Sequence, residues 1–199
     1  MLIRDLKSFN SNRSRFCLSP FNNSLEKPFF EISGKTWGII GLGTIGKKVA
    51  DVASVFGANI LYYSTTGRNR DDKYKRSSLE NLLKNSDIIS IHSPLNEQTF
   101  NLIHKENLPL LKDKALLINM GRGGIINEKD LANFIDKSDI LVGMDVLESE
   151  PMREDNLLLR VKNRDNLFIT PHIAWASKEA RVRLIKGIEE NIRGFLNKI

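Results

Sequence analysis

Three polar side chains each follow a short apolar run, and their chemical types suit the reduction of a keto acid. Arg122 follows residues 115–120, Glu150 follows residues 140–144, and His172 follows residues 166–169. A guanidinium can hold a carboxylate and polarise the carbonyl next to it. An imidazole can donate a proton to the carbonyl oxygen, and a neighbouring carboxylate favours the protonated ring and fixes its orientation. The sequence therefore predicts a catalytic trio whose reductive activity falls when the imidazole loses its proton.

Each of these residues also has a plainer interpretation. Arg122 could pair with a surface acid, Glu150 could be solvated, and His172 could bond a backbone carbonyl. Their joint placement after successive apolar runs favours the catalytic interpretation. Two further histidines are interpreted differently. His92 ends an apolar run and is predicted to shape a cofactor loop, whereas His104 is predicted to be exposed in a polar helical stretch.

The elements that must position these side chains follow a regular alternation. From Lys35 onward, apolar runs of strand length alternate with segments of helical period, which is typical of an α/β fold with a parallel sheet. We predict a Rossmann-type doubly wound sheet with helices on both faces. Ligands bind beyond the carboxyl ends of such strands, where the three polar side chains lie. Six strands are predicted, at residues 36–41, 59–63, 87–92, 115–120, 140–144 and 166–169.

The first predicted strand leads directly into a glycine-rich segment, Gly41-Leu42-Gly43-Thr44-Ile45-Gly46, and then into a helix at residues 47–56. Gly41 would permit the tight turn, Gly43 would let the backbone approach a pyrophosphate, and Gly46 would let the helix pack closely on the strand. The alternative is a glycine-rich turn that binds no ligand. The strand and helix on either side favour a dinucleotide site.

The type of dinucleotide is left open by the end of the second predicted strand. An acidic residue that binds the adenosine ribose normally stands there, and this chain has Ser64, followed by Thr65, Thr66, Gly67 and Arg68. Without a carboxylate, a 2′-phosphate would not be repelled. We predict NAD as the cofactor, with NADP as an open alternative.

Start signals predict three further helices, after Ser77 with Glu80, after Asn127, and after Ser177 toward residue 198. Residues 1–33 are predicted to form a short helix and an extended arm. The charged run 68–76 is predicted to be a solvated loop.

Bulk composition excludes several classes of protein. The 199 residues are 41% hydrophobic, and no apolar stretch approaches the roughly 20 residues that span a bilayer. The start of the chain does not resemble a signal peptide, so a cytoplasmic location is predicted. The net charge of +6 is spread along the chain, which argues against a nucleic-acid partner. The lone Cys17 offers neither a disulfide nor a spacing that would bind a metal.

Five segments carry a resemblance to a known family. GLGTIG, HSPL with Thr99, INMGRGGIINEKDL, MDVLESEP and PHIAWASKEAR occur in an order that resembles the D-isomer-specific 2-hydroxyacid dehydrogenases, especially their glycerate dehydrogenase or hydroxypyruvate reductase-like members. The resemblance implies an NAD(P)-dependent oxidoreductase acting on CH–OH groups of small D-2-hydroxy acids, with hydroxypyruvate or glyoxylate as keto-acid substrates. It implies that Arg122, Glu150 and His172 are catalytic, and that Arg122 and Trp175 contact the substrate. The implied cofactor contacts are Gly41, Gly43, Thr44, Ile45, Gly46, Ser64, His92, Pro94, Thr99, Asn119, Met120, Gly121, Asp145, His172 and Ala174.

The chain departs from that family at its front, where members have a substantial substrate-binding segment. We expect residues 1–33 to be the crossover remnant of that domain, residues 34–176 to form the dinucleotide-binding domain, and residues 177–199 to be a helix returning toward the substrate domain. Family members are typically dimers, so a homodimer is expected if that interface survives. The alternatives are a noncatalytic nucleotide-binding remnant and a cofactor-sensing interaction module.

Overall fold

A computed structural model describes residues 30–68 and 70–197, so most of the predicted N-terminal helix and arm lies outside the described residues. Seven parallel strands form one sheet in the order β3-β2-β1-β4-β5-β6-β7. This is the strand order of a Rossmann fold, in which β2 and β3 are added on one side of β1 and the later strands are added on its other side. The strands are β1 (Thr36–Ile40), β2 (Asn59–Tyr63), β3 (Lys75–Arg76), β4 (Ile88–Ile91), β5 (Leu116–Asn119), β6 (Leu141–Met144) and β7 (Leu167–Ile169). The predicted fold class is confirmed.

Four α-helices are described, α1 (Thr44–Val55), α2 (Leu79–Asn85), α3 (Glu128–Ile135) and α4 (Lys178–Leu196), together with short 3-10 helices at Leu108–Leu110, Leu157–Arg160 and Arg164–Asn166. Asn127 and Ser177 cap α3 and α4 as predicted, because their side-chain oxygens accept from the backbone N–H three residues on. Two predicted starts are wrong. Helix α1 begins at Thr44 rather than at residue 47, inside the glycine-rich segment, and α2 is capped by Ser78 rather than Ser77.

The core lies on both faces of the sheet. Alternate residues of β1 point to opposite sides, so Ile39 packs with α1 while Ile40 packs with the larger cluster on the other face. Ala50 and Ala53 cover the first face from α1. Leu131 of α3 is among the residues that bury the second face. The strands are held between these layers, which fixes where their carboxyl ends lie.

Residues 68 and 70–76 of the charged run are mostly exposed and irregular, as predicted for a solvated loop, but the end of the run departs from that prediction. Its last two residues form the edge strand β3, which pairs with β2. Within the run, Asp71 lies 2.7 Å from the ammonium of Lys47 on α1, and Tyr74 is buried. Lys73 pairs in turn with Asp51 of α1. Pattern analysis missed the strand because two residues are too short to show an alternation.

His92 belongs to a hydrogen-bonded chain that crosses from β1 to β4. The indole N–H of Trp37 donates to Ser90 Oγ, which lies 3.0 Å from Nε2 of His92. Burial lowers the pKa of His92 to about 4. The ring is therefore neutral at physiological pH. His104 differs from its prediction, since it is half-buried and lies in a turn rather than in a helix.

Helix α4 shows an exposed apolar face. Ile185, Ile192 and Phe195 are more than half exposed, and none of its residues is buried. Among residues 30–68 and 70–197, no helix is both long and apolar enough to cross a membrane. An apolar face of this kind commonly marks a surface of association.

The close contact of α1 with the end of β1 depends on Gly46. A Cβ at this position would lie 2.1 Å from the carbonyl oxygen of Gly41. We predict that Gly46→Ala lowers the free energy of unfolding by about 1–3 kcal/mol, because the backbone must move to relieve the clash. Urea unfolding measures this change. In the control, Gly187→Ala in α4, the Cβ meets open space, and helix propensity predicts unchanged or slightly higher stability. Equal effects of the two substitutions would contradict the packing.

The low pKa of His92 predicts a pH-dependent stability. The unfolded chain takes up a proton near pH 6.5, whereas the folded chain resists it down to about pH 4. Stability is therefore complete above pH 6.5 and is lost as the pH falls toward 4, by at most about 3 kcal/mol. Urea unfolding at several pH values measures this effect. Between pH 6.5 and pH 4, the free energy of unfolding should change less steeply with pH for His92→Asn than for His104→Asn. If both variants keep the pH dependence of the wild type, the burial of His92 does not cause that dependence.

Candidate active site

The turn after β1 has the features of a phosphate cradle. Gly41 has a φ of 92°, and a Cβ there would meet the backbone of Ser93 at 2.8 Å. A Cβ at Gly43, in contrast, would meet nothing within 4 Å. The N-terminus of α1 has no side-chain cap and no acidic residue in its first turn, and Thr44 and Ile45 are exposed. Free backbone N–H groups therefore face open space, where an anion can bind.

The residues after β2 form a small polar turn beside cationic side chains. Ser64 is 5% exposed, and its Oγ has no hydrogen-bond partner within the described part of the chain. A Cβ at Gly67 would lie 3.5 Å from Nη2 of Arg76, and Arg68 is exposed on the same turn. Ser64, Arg68 and Arg76 thus lie at or beside the turn where the cofactor ribose is expected.

The loop after β4 is folded by Thr99. Its buried hydroxyl donates to the carbonyl of Pro94 over 2.7 Å and accepts from the N–H of Asn96 over 2.8 Å. Pro94 itself is exposed. The structure therefore gives Thr99 a role in shaping the loop, and leaves Pro94 on its surface.

Asn119 folds the loop that carries Arg122. Its fully buried side chain donates to the carbonyl of Arg122 over 2.9 Å and accepts from the N–H of Gly121 over 3.1 Å. Met120 is 44% exposed on the outside of this turn. The guanidinium of Arg122 is exposed and donates to the carbonyl of Gly121. A buried amide thus holds the backbone while the charged group projects from the sheet edge.

Asp145 anchors the loop after β7. Its buried carboxylate accepts hydrogen bonds from the N–H groups of Ile173 and Ala174, each at 2.9 Å, and from the Thr170 hydroxyl. Burial on its own would raise the pKa of Asp145, but these donors outweigh it and the pKa is lowered. The anchored loop contains His172, whose φ of 52° is uncommon for a residue with a Cβ.

Glu150 and His172 meet across the ends of β6 and β7. The Nδ1 of His172 lies 2.7 Å from Oε2 of Glu150, and the other carboxylate oxygen accepts from the N–H of Leu147. The hydrogen bond with His172, followed by that from Leu147, lowers the pKa of Glu150. The indole N–H of Trp175 donates to the carbonyl of His172 over 2.8 Å. The His172 side chain is therefore paired with Glu150, and its backbone is bonded to the indole of Trp175.

The structure brings His172 into contact with both Glu150 and Trp175, and puts Arg122 after β5, the strand next to β6. Sequence reasoning missed that Asp145 holds the His172 loop and that Asn119 folds the Arg122 loop. Both residues come at or directly after the end of a strand, where a short polar side chain can reach the next loop. That position was the available signal, although the partners lie on other strands and are set by the sheet order.

Comparisons with known proteins agree with this geometry. Residues 1–174 match the family model "D-isomer specific 2-hydroxyacid dehydrogenase, NAD binding domain". The chain is 38% identical over 180 residues to a hydroxypyruvate reductase of Blautia hydrogenotrophica. That match covers 85% of this chain and 52% of the relative, so the chain spans about half the length of this curated relative.

Solved structures are similar over most of the described fold. A D-lactate dehydrogenase from Aquifex aeolicus, complexed with NAD and lactic acid, matches all of this chain and 64% of its own, with a TM-score of 0.81 and 28% identity. The acyclic imino acid reductase Bsp5, in complex with NADPH and D-Arg, has a TM-score of 0.82 and 30% identity over 96% of this chain and 60% of its own. By sequence and by fold, the chain belongs to the D-isomer-specific 2-hydroxyacid dehydrogenase family, of which it contains the NAD-binding domain.

Proposed function

We propose that this chain supplies the cofactor-binding and proton-transferring half of an NAD(P)-dependent dehydrogenase that interconverts small 2-keto acids and D-2-hydroxy acids. Hydroxypyruvate and glyoxylate are the proposed keto acids. The observation that carries the proposal is the 2.7 Å contact between His172 Nδ1 and Glu150 at the ends of adjacent strands. A noncatalytic remnant or a cofactor-sensing module would not need this pair.

The roles of the trio follow from its hydrogen bonds. With Nδ1–H donating to Glu150, the Nε2 of His172 is left to donate a proton to a carbonyl oxygen. A carboxylate on Nδ1 also fixes the tautomer and the orientation of the ring. Arg122 would hold the substrate carboxylate through its guanidinium and polarise the adjacent carbonyl. Trp175, hydrogen-bonded to the carbonyl of His172, would border the substrate.

The described residues fit a dinucleotide. The open space at Gly43 and the uncapped N-terminus of α1 would hold the pyrophosphate, and the loops after β4 and β5 would border the nicotinamide. Met120 and Gly121 after β5, Asp145 after β6 and Ala174 after β7 stay proposed cofactor contacts. When bound, a reduced nicotinamide supplies the hydride. The protein's part is to hold the two reactants in line and to supply the proton.

The choice between NAD and NADP depends on the turn after β2. Ser64 leaves the site without a carboxylate, and Arg68 and Arg76 bring positive charge. A 2′-phosphate would be accepted by these groups, so we propose that both cofactors bind.

We also propose that two copies associate, and that the enzyme works in the cytoplasm. The exposed apolar face of α4 supports association, because burying it removes several large side chains from water. Sedimentation of the purified chain would distinguish a monomer from a dimer.

Replacing His172 tests the catalytic assignment. In an assay with hydroxypyruvate, glyoxylate and pyruvate against NADH and NADPH, His172→Ala should lower turnover by roughly 100-fold or more, since general acid catalysis is lost. Cofactor binding, measured by NADH fluorescence, should be unchanged. His104→Ala is the control and should keep full activity. Equal turnover of wild type and His172→Ala, or turnover with none of the substrates in the wild type, would contradict the proposed function.

Replacing Ser64 tests the cofactor proposal. Ser64→Asp adds a carboxylate at the end of β2, which should repel a 2′-phosphate and lower the affinity for NADPH relative to NADH by about tenfold or more. Asn59→Asp adds the same charge at the other end of that strand and is the control. Titration of both variants with NADH and NADPH measures the ratio. An unchanged ratio in Ser64→Asp would place the adenosine ribose elsewhere.

A further inference from the structure

Glu128 is a buried carboxylate that lies outside the proposed trio. It is the first residue of α3 and is 5% exposed. Its Oε1 accepts from the N–H of Glu148 over 2.6 Å, and its Oε2 accepts from the side-chain amide of Asn156 over 2.7 Å. One carboxylate therefore fastens both ends of residues 148–156, the segment that contains Glu150.

The attachment at Glu148 is next to the one that orients Glu150. The N–H of Leu147 donates to Oε1 of Glu150, and the N–H of the following residue, Glu148, donates to Glu128. The two N–H groups belong to adjacent planar peptide units that are joined only through φ and ψ of Leu147, so a carboxylate that fixes the second unit narrows the positions open to the first. The orientation of Glu150, and hence its contact with His172, depends on this short stretch of backbone.

The same peptide also contacts the loop of Arg122. A Cβ at Gly123 would lie 1.8 Å from the carbonyl oxygen of Leu147 and 2.5 Å from the nitrogen of Glu148. The glycine after Arg122 thus lets the two loops touch backbone to backbone. Movement of the 147–148 peptide would disturb both the Glu150 side and the Arg122 side of the site.

We infer that Glu128 is a positioning residue, which fixes the 147–148 peptide and so holds Glu150 against His172 beside the Arg122 loop. Its catalytic meaning rests on the proposed function, but the geometry it controls does not. A purely structural role at the start of α3 would stabilise the domain without affecting the state of Glu150.

The titration of the Glu150 carboxyl group separates these roles and requires no turnover. The groups that face it are His172, the Leu147 N–H and, more distantly, Asp145. In the wild type its pKa is lowered by His172 and then by Leu147. Removing the charge of Glu128 would by itself leave or further lower that pKa, since like charges raise it. Loss of positioning predicts the opposite, a rise of about half a pH unit or more in Glu128→Ala.

Carbon-13 NMR of the full chain, with the Glu150 signal assigned from Glu150→Gln, measures these titrations. Glu128→Gln keeps an oxygen acceptor for Glu148 and should show less than half of the rise seen in Glu128→Ala. Asp136→Ala is the matched control, because Asp136 accepts from the N–H groups of Lys162 and Asn163 beyond the other end of α3. Its Glu150 titration should equal that of the wild type.

A second variant covers the case in which Glu128→Ala does not fold. Glu128→Asp keeps the charge but shortens the side chain by one methylene, so it should also raise the Glu150 midpoint. An unchanged or lowered midpoint in the folded Glu128 variants, or an equal rise in Asp136→Ala, overturns the inference. A turnover assay run in parallel keeps the two proposals apart: an inactive wild type with the expected NMR shifts rejects the function and retains the positioning.

Discussion

The carboxylate of Asp145 is the contact on which the site depends. It directly follows β6 and receives hydrogen bonds from Thr170, Ile173 and Ala174, so it ties the loop after β7 to the neighbouring strand. His172 lies between these donors with a positive φ, a conformation that needs such support in a residue other than glycine. Once this loop is held, Nδ1 of His172 can reach Glu150 from the same side. The imidazole is thus oriented by the strand order as much as by its own sequence neighbours.

The glycines make a separate contribution to the site, because they let loops approach each other without side chains between them. Gly46 brings α1 onto the end of β1, and Gly123 brings the Arg122 loop onto the 147–148 peptide. Side-chain hydrogen bonds then hold these loops in place, as when the Glu128 carboxylate accepts from the N–H of Glu148. The glycine-rich turn after β1 and the proposed trio are therefore parts of one edge of the sheet, although six different loops build that edge. In contrast, the apolar residues of α4 are exposed.

Much of this arrangement could be predicted from the sequence, because apolar runs and glycine spacing are local signals. All six predicted strands are present, within a residue or so at each end, and their order places the predicted polar residues at one edge. The edge strand β3 could not be seen, since two residues show no period and its pairing with β2 is tertiary. The hydrogen-bond partners of Asp145 and Glu128 could not be predicted from the sequence for a related reason. Their partners are 20 to 29 residues away along the chain, and only the folded sheet brings them together.

A crystal structure of this chain with a reduced dinucleotide and oxalate, as a mimic of a 2-keto acid, would test the central claim most directly. The account predicts the pyrophosphate at the N-terminus of α1, with the Arg122 guanidinium and Nε2 of His172 both within hydrogen-bonding distance of the oxalate, and with Nδ1 still on Glu150. It would be contradicted by a dinucleotide bound away from the turn after β1. It would equally be contradicted by an oxalate that contacts neither Arg122 nor His172.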